Sequence, residues 1–156
     1  MTRLRLPLVG APPAPEPAPR FTPLSPDVLL APPGPLVIVA GERAPRGRFA
    51  GSLTRALAGA GLRVDVFAEP VEGVTQEALT AALAARAEVA DLVVAEGNAA
   101  LGLYRATLSV LVGVRGASSP AVRALRGRAD IEVEQHDDAL VAVLAQRLAV
   151  RLALRR

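Results

Sequence analysis

Proline placement sets the first limit on this chain: eleven of its 14 prolines fall within residues 1–35. Proline has no N–H and pushes the residue before it out of helical conformation, so residues 1–35 cannot build a helix or an inner strand. The run Pro12-Pro13-Ala14-Pro15-Glu16-Pro17-Ala18-Pro19 reads as an extended or disordered arm of polyproline II character. Phe21, Leu24, Val28, Leu29 and Leu30 offer apolar contacts with which that arm docks on the domain or on a neighbouring subunit. Regular structure must come from residues 36–156, enough for a single domain with a sizeable core.

In that part, short apolar runs alternate with segments of helical spacing. Leu36–Ala40 is a continuous apolar run of buried-strand length. Leu62–Phe67 alternates with period two, as a strand nearer the sheet edge does. Asp91–Glu96, Leu108–Val114 and Ile131–Glu134 supply three further strands. Between them, Phe49, Leu53, Ala56, Leu57 and Ala60 share one helical face, and Gly59 and Gly61 supply a stop. Thr75 is an N-cap for a helix reaching about Val89, and Ser119-Pro120 opens a short one that Gly127 closes. Asp137 or Asp138 caps the last helix; its Leu140, Val141, Leu144, Leu148 and Leu152 face inward, while Arg147, Arg151 and Arg155 form a solvated stripe. Half the chain is apolar but only 3% is aromatic, which suits a parallel sheet packed with Val, Leu, Ile and Ala. The expected fold is α/β, a three-layer Rossmann-like sandwich around a mostly parallel five-stranded sheet. The short link before residues 108–114 leaves that strand either parallel or antiparallel to its neighbour.

Composition removes whole chemistries. All 18 basic residues are arginine, so no lysine Schiff base, lysine general base or phosphate-binding lysine exists. There is no cysteine for disulfides, thiolate nucleophiles or metal ligation. A net charge of +3, with three Phe, one Tyr and no Trp, argues against nucleic-acid binding, which wants a basic face interleaved with stacking aromatics. No apolar run approaches the ~20 residues of a membrane span. Arg3 and Arg5 precede the apolar patch Leu6–Val9 as in a signal peptide, but Pro7, Pro12 and Pro13 break it. The expected location is the cytoplasm, without membrane attachment.

Ligands of open α/β sheets bind beyond the carboxyl ends of the strands. Those ends carry Gly41 to Arg48, Glu69, Glu96-Gly97-Asn98, Arg115-Gly116 and Gln135-His136-Asp137. The first reads as a loop of two glycines and three arginines before a helix starting near Arg48. Gly41, Arg43, Arg46, Gly47 and Arg48, with Asn98 opposite, are the candidate residues for a nucleotide or phosphate, since helix N-terminal amides and guanidinium both suit anions. The same arginines equally decorate a solvated loop. Glu96 is either a base or water-mediated metal ligand, or an acid paired with a nearby arginine. Asn98, the only asparagine, suits a turn or helix cap. His136, the only histidine, stands before Asp137 and Asp138, as a carboxylate-oriented general base or as a loop histidine. Tyr104 and Arg105 belong to a link that is either a lid over the crevice or a plain connection. No residue set is assigned to a metal, and neither a nucleophile elbow nor a G-x-G-x-x-G turn is present.

The first turn resembles, by position, the P-loop of nucleoside triphosphatases. Asp91-Leu92-Val93-Val94-Ala95-Glu96-Gly97-Asn98 is similar to the Walker B strand of the P-loop accessory proteins of molybdopterin-guanine dinucleotide synthesis and of dethiobiotin-synthetase-like enzymes. In element order the resemblance spans residues 36–150. A working P-loop has G-x-x-x-x-G-K-[ST]; here five residues separate Gly41 from Gly47, Arg48 takes the lysine's place and Phe49 the hydroxyl's. Realigning on Ser52 supplies neither glycine nor lysine. The resemblance therefore implies a degenerate, non-hydrolysing accessory domain that binds a nucleotide, another phosphate-bearing molecule or a partner protein. Two alternatives stand beside it. One is a small transferase acting on a phosphorylated metabolite, with Glu96 or His136 as base. The other is a structural module whose arm and apolar last helix build a homo-oligomer.

Overall fold

Leu36–Gly41 is buried along its whole length and forms the central strand, β1, of the computed structural model, which describes residues 29–113 and 119–154. It is followed by α1 (Arg43–Gly59), β2 (Val64–Ala68), α2 (Gln76–Ala87), β3 (Leu92–Glu96) and α3 (Ala99–Leu103). Then come β4 (Leu108–Val112), α4 (Pro120–Arg123), β5 (Ile131–Val133) and α5 (Asp138–Ala153). The five strands lie in the order β2-β3-β1-β4-β5, and every pairing is parallel. The domain is thus the α/β sandwich its alternating pattern predicts. The open question of residues 108–114 is settled as parallel: the short link after β3 carries a five-residue helix, α3, enough for one crossover.

Alternate residues of β1 feed two cores, which is why the run has no polar position. Leu36, Ile38 and Ala40 pack with Leu79 and Leu83 of α2, the whole of α3, and Val122 of α4. Val37 and Val39 pack on the other face with Phe49, Leu53 and Leu57 of α1 and Val141, Leu144 and Leu148 of α5. The caps form where the residues call for them. Thr75 accepts from the Ala78 amide, Ser119 from Val122, and Asp137 from both Ala139 and Leu140.

Two features depart from the expectations. The first turn is no loop: α1 begins at Arg43, one residue after β1, so Arg43, Arg46, Gly47 and Arg48 are helical. Pro45 lies in the first turn, where an N–H has no intrahelical partner, so it interrupts nothing. Tyr104 and Arg105 lie at the start of β4, the end of the sheet opposite the crevice, and are no lid over it. Tyr104 is buried there, its hydroxyl against that of Thr80. Leu30 pairs beside it, donating to the Leu103 carbonyl at 2.8 Å and accepting from Arg105 at 2.9 Å. That end of the arm docks on its own domain; the Pro12–Pro19 run, Phe21, Leu24 and Val28 lie outside the described residues.

On the edge strand β2, side chains occupy the outward groups of Val66. Asp65 accepts from the Val66 amide at 2.9 Å, and Arg86 of α2 donates to the Val66 carbonyl at 3.2 Å while lying over the Phe67 ring. Among the described residues no helix is long and apolar enough to cross a membrane.

Candidate functional site

Strand order locates the crevice. After β1 the chain turns to the face of α1 and α5; after β3 and β4 it turns to the opposite face. The carboxyl end of β1 is therefore a topological switch point, the usual ligand position in such sheets. Gly41 ends β1 there at φ 125°, and a Cβ on it would lie 1.9 Å from the Val112 carbonyl oxygen, so only glycine lets β1 and β4 meet this closely. Gly97, after β3, has the same constraint: a Cβ would meet that of Glu69 at 2.5 Å.

The structure gathers four of the candidate residues around these glycines. Asn98 Oδ1 accepts from the Gly41 amide at 2.8 Å. Arg46 donates through Nη1 to the Gly41 carbonyl at 3.0 Å and through Nε to Glu96 Oε2 at 3.3 Å. Both members of that ion pair are largely buried, with side chains 13% and 19% exposed. Gly47 lies one residue on, where a Cβ would stand 3.5 Å from the Glu96 carboxylate. Asn98 occupies the N-cap position of α3 without capping it; its side chain reaches β1 instead.

Two glutamates complete the crest. Glu69 accepts from the Ala99 amide at the start of α3 at 2.9 Å, serving as the carboxylate that helix end attracts. Burial raises its pKa above the ordinary 4.5, against the lowering influence of the Ala99 hydrogen bond and of Arg46. Glu42 accepts from the Ser119 amide and so ties α1 to α4. The sequence places Glu69 only at a strand end, and the Glu42 partner lies 77 residues away, beyond the reach of any local pattern.

The other candidates lie elsewhere. Arg43 and Arg48 are exposed; the charge of Arg48 is felt by Asp138, at the start of α5. His136 is a packed histidine, its side chain 6% exposed, its ring edge-on to Phe49 and its Nε2 2.6 Å from Asp138 Oδ1. That hydrogen bond holds the Asp138 carboxyl below its ordinary 3.8. Of the two alternative bases, Glu96 is thus paired with Arg46 and His136 with Asp138. Arg115 and Gly116 lie outside the described residues.

Chemically, the crest is held by bonds within its own chain. Carboxylates and an amide oxygen accept from the backbone N–H groups of Gly41, Ala99 and Ser119, and the Arg46 guanidinium pairs with Glu96. No serine, threonine or cysteine nucleophile faces it among the described contacts, and no three His, Asp or Glu side chains gather as a metal ion needs among the described residues. Comparison with family models, with curated proteins and with solved structures finds no match for this chain.

A second surface has the opposite character. Val143, Val150 and Leu154 on the outer side of α5 are 47%, 56% and 83% exposed, and with Gln146, Arg147 and Arg151 they line a shallow open hollow. Sequence reading assigned α5 an apolar inner face, which Val141, Leu144, Leu148 and Leu152 form as expected, and a solvated arginine stripe, which overlooked this outer row. The row is visible in the sequence, where Val143, Val150 and Leu154 recur at seven- and four-residue steps.

Proposed function

We propose that the chain is a non-catalytic, non-hydrolysing accessory domain that acts by binding a partner protein, with the outer face of α5 as its contact surface. The observation that carries this reading is the exposed row Val143, Val150 and Leu154 on a helix whose inner face is already committed to the core. The crest supports it from the other side: Glu42, Glu69, Glu96 and Asn98 each engage a group of their own chain and so help hold α1, α3 and α4 to the sheet. The test is affinity purification of the full chain and of Val150→Asp from the source organism. A stoichiometric partner held by the wild type and lost in the folded variant supports the reading; equal recovery with both refutes it.

A second reading keeps a nucleotide or other phosphate-bearing molecule at the crest, favoured by the position of Arg46 at the switch point. Such a ligand uses the Arg46 N–H groups that Glu96 and the Gly41 carbonyl leave open. It then stabilises the protein by about 2.7 kcal/mol at a hundred times its dissociation constant, and Arg46→Ala abolishes the shift. Thermal melts with ATP, GTP, pyrophosphate and sulfate, with and without magnesium, decide it.

A further inference from the structure

The charge on the outer face of α5 names the chemistry of its partner; this rests on the proposed use of that face. Arg147 and Arg151 alternate with Val143, Val150 and Leu154, and beyond Asp138 the helix has no acid at all. Asp130 lines the adjoining hollow with both arginines, and its Oδ2 accepts from the amide and the hydroxyl of Ser109. Arg151 makes one long bond, 3.4 Å, to the Thr107 carbonyl. The face is thus apolar and cationic, and neither Arg147 nor Arg151 is ion-paired among the described residues.

Size and charge together select the occupant. A helix of this length runs ~24 Å and is ~10 Å wide, so the face offers roughly 240 Å², far below the ~800 Å² per partner of stable globular complexes. Pairing with a second copy would, besides, set four arginines on two helical rows that hold no acid of their own, and like charges so placed repel. A slender element of opposite charge meets both limits. The seven-residue step from Val143 to Val150 is the spacing at which a neighbouring helix inserts its own apolar residues.

We infer that α5 docks a single amphipathic helix of a partner protein whose apolar ridge is bordered by Asp and Glu, the carboxylates pairing with Arg147 and Arg151.

The probe is a synthetic helical peptide as long as α5, with leucines on one ridge and glutamates beside them, and its twin with lysines in place of the glutamates. Binding to the full chain is read by fluorescence anisotropy. The glutamate peptide is expected to bind at micromolar concentration and the lysine peptide about ten-fold or more weakly. Raising salt to about 0.5 M should narrow the difference. Arg147→Glu with Arg151→Glu should invert the preference, and Val150→Ser should weaken both peptides. Equal binding of the two, binding of neither, or indifference to the charge reversal overturns the inference. So does sedimentation showing self-association that Val150→Ser removes, since a second copy then takes the place. A native partner lost in Val150→Asp but indifferent to the charge reversal overturns this inference alone; a partner unmoved by Val150→Asp overturns the proposed function as well.

Discussion

A methyl group at position 41 would sit 1.9 Å from the Val112 carbonyl oxygen on a backbone at φ 125°, so Gly41→Ala must force β1 and β4 apart. A loss of roughly 3 kcal/mol, or failure to fold, is expected in denaturant melts. Asn98→Ala leaves the Gly41 amide without its acceptor and should cost about 1–2 kcal/mol by the same measurement. Glu69 gives a pH signature. Its folded pKa lies above the ordinary 4.5 because burial disfavours the charged form. Over the interval from that value up to the folded pKa, the native state holds more protons than the unfolded one. Stability therefore falls as pH rises through it and the deficit then stays constant. Glu69→Gln, which keeps an oxygen for the Ala99 amide, should flatten this step in melts taken across mildly acidic pH. At this scale the sequence exposed the strand-end residues Gly41, Glu96 and Asn98, because a strand's end is visible in its pattern. It hid the bond from Ser119 to Glu42, because nothing local records which loops meet over β1.

Elements were legible where their residues act alone. Thr75, Ser119-Pro120 and Asp137 marked helix starts because capping is a bond to the next few amides. Asp137→Ala, which removes acceptance from two of them, should lower stability by about 1 kcal/mol in thermal melts. The start of α1 was misread because glycine and proline carry two meanings. In Gly41-Glu42-Arg43-Ala44-Pro45-Arg46-Gly47 they suggest a loop, yet Pro45 fits a first helical turn and Gly47 is a helical position beside Glu96. The same misreading placed three arginines in one anion site; on a helix they point apart, and only Arg46 reaches the crest. The two faces of α5 can be told apart by substitution. Leu144→Ala or Leu148→Ala should cost about 2–5 kcal/mol, whereas Val143→Ser with Val150→Ser should stay within about 0.5 kcal/mol for each change.

For the molecule as a whole, the alternation of apolar runs and helical segments dictated a sheet between two helical layers. The strand order β2-β3-β1-β4-β5 was not dictated, because right-handed crossovers permit several orders of the same elements. That order makes β2 an outer strand, and there the bonds from Val66 to Asp65 and Arg86 matter beyond the monomer. An open strand edge is a template on which a neighbouring chain can lay down another strand, the first event of fibre growth. Arg86→Ala should remove that guard, and light scattering at high concentration should then rise with time while the wild type stays clear. On its β2 side, a protein built so largely of valine, leucine and alanine is thus guarded against crowding by one aspartate and one arginine.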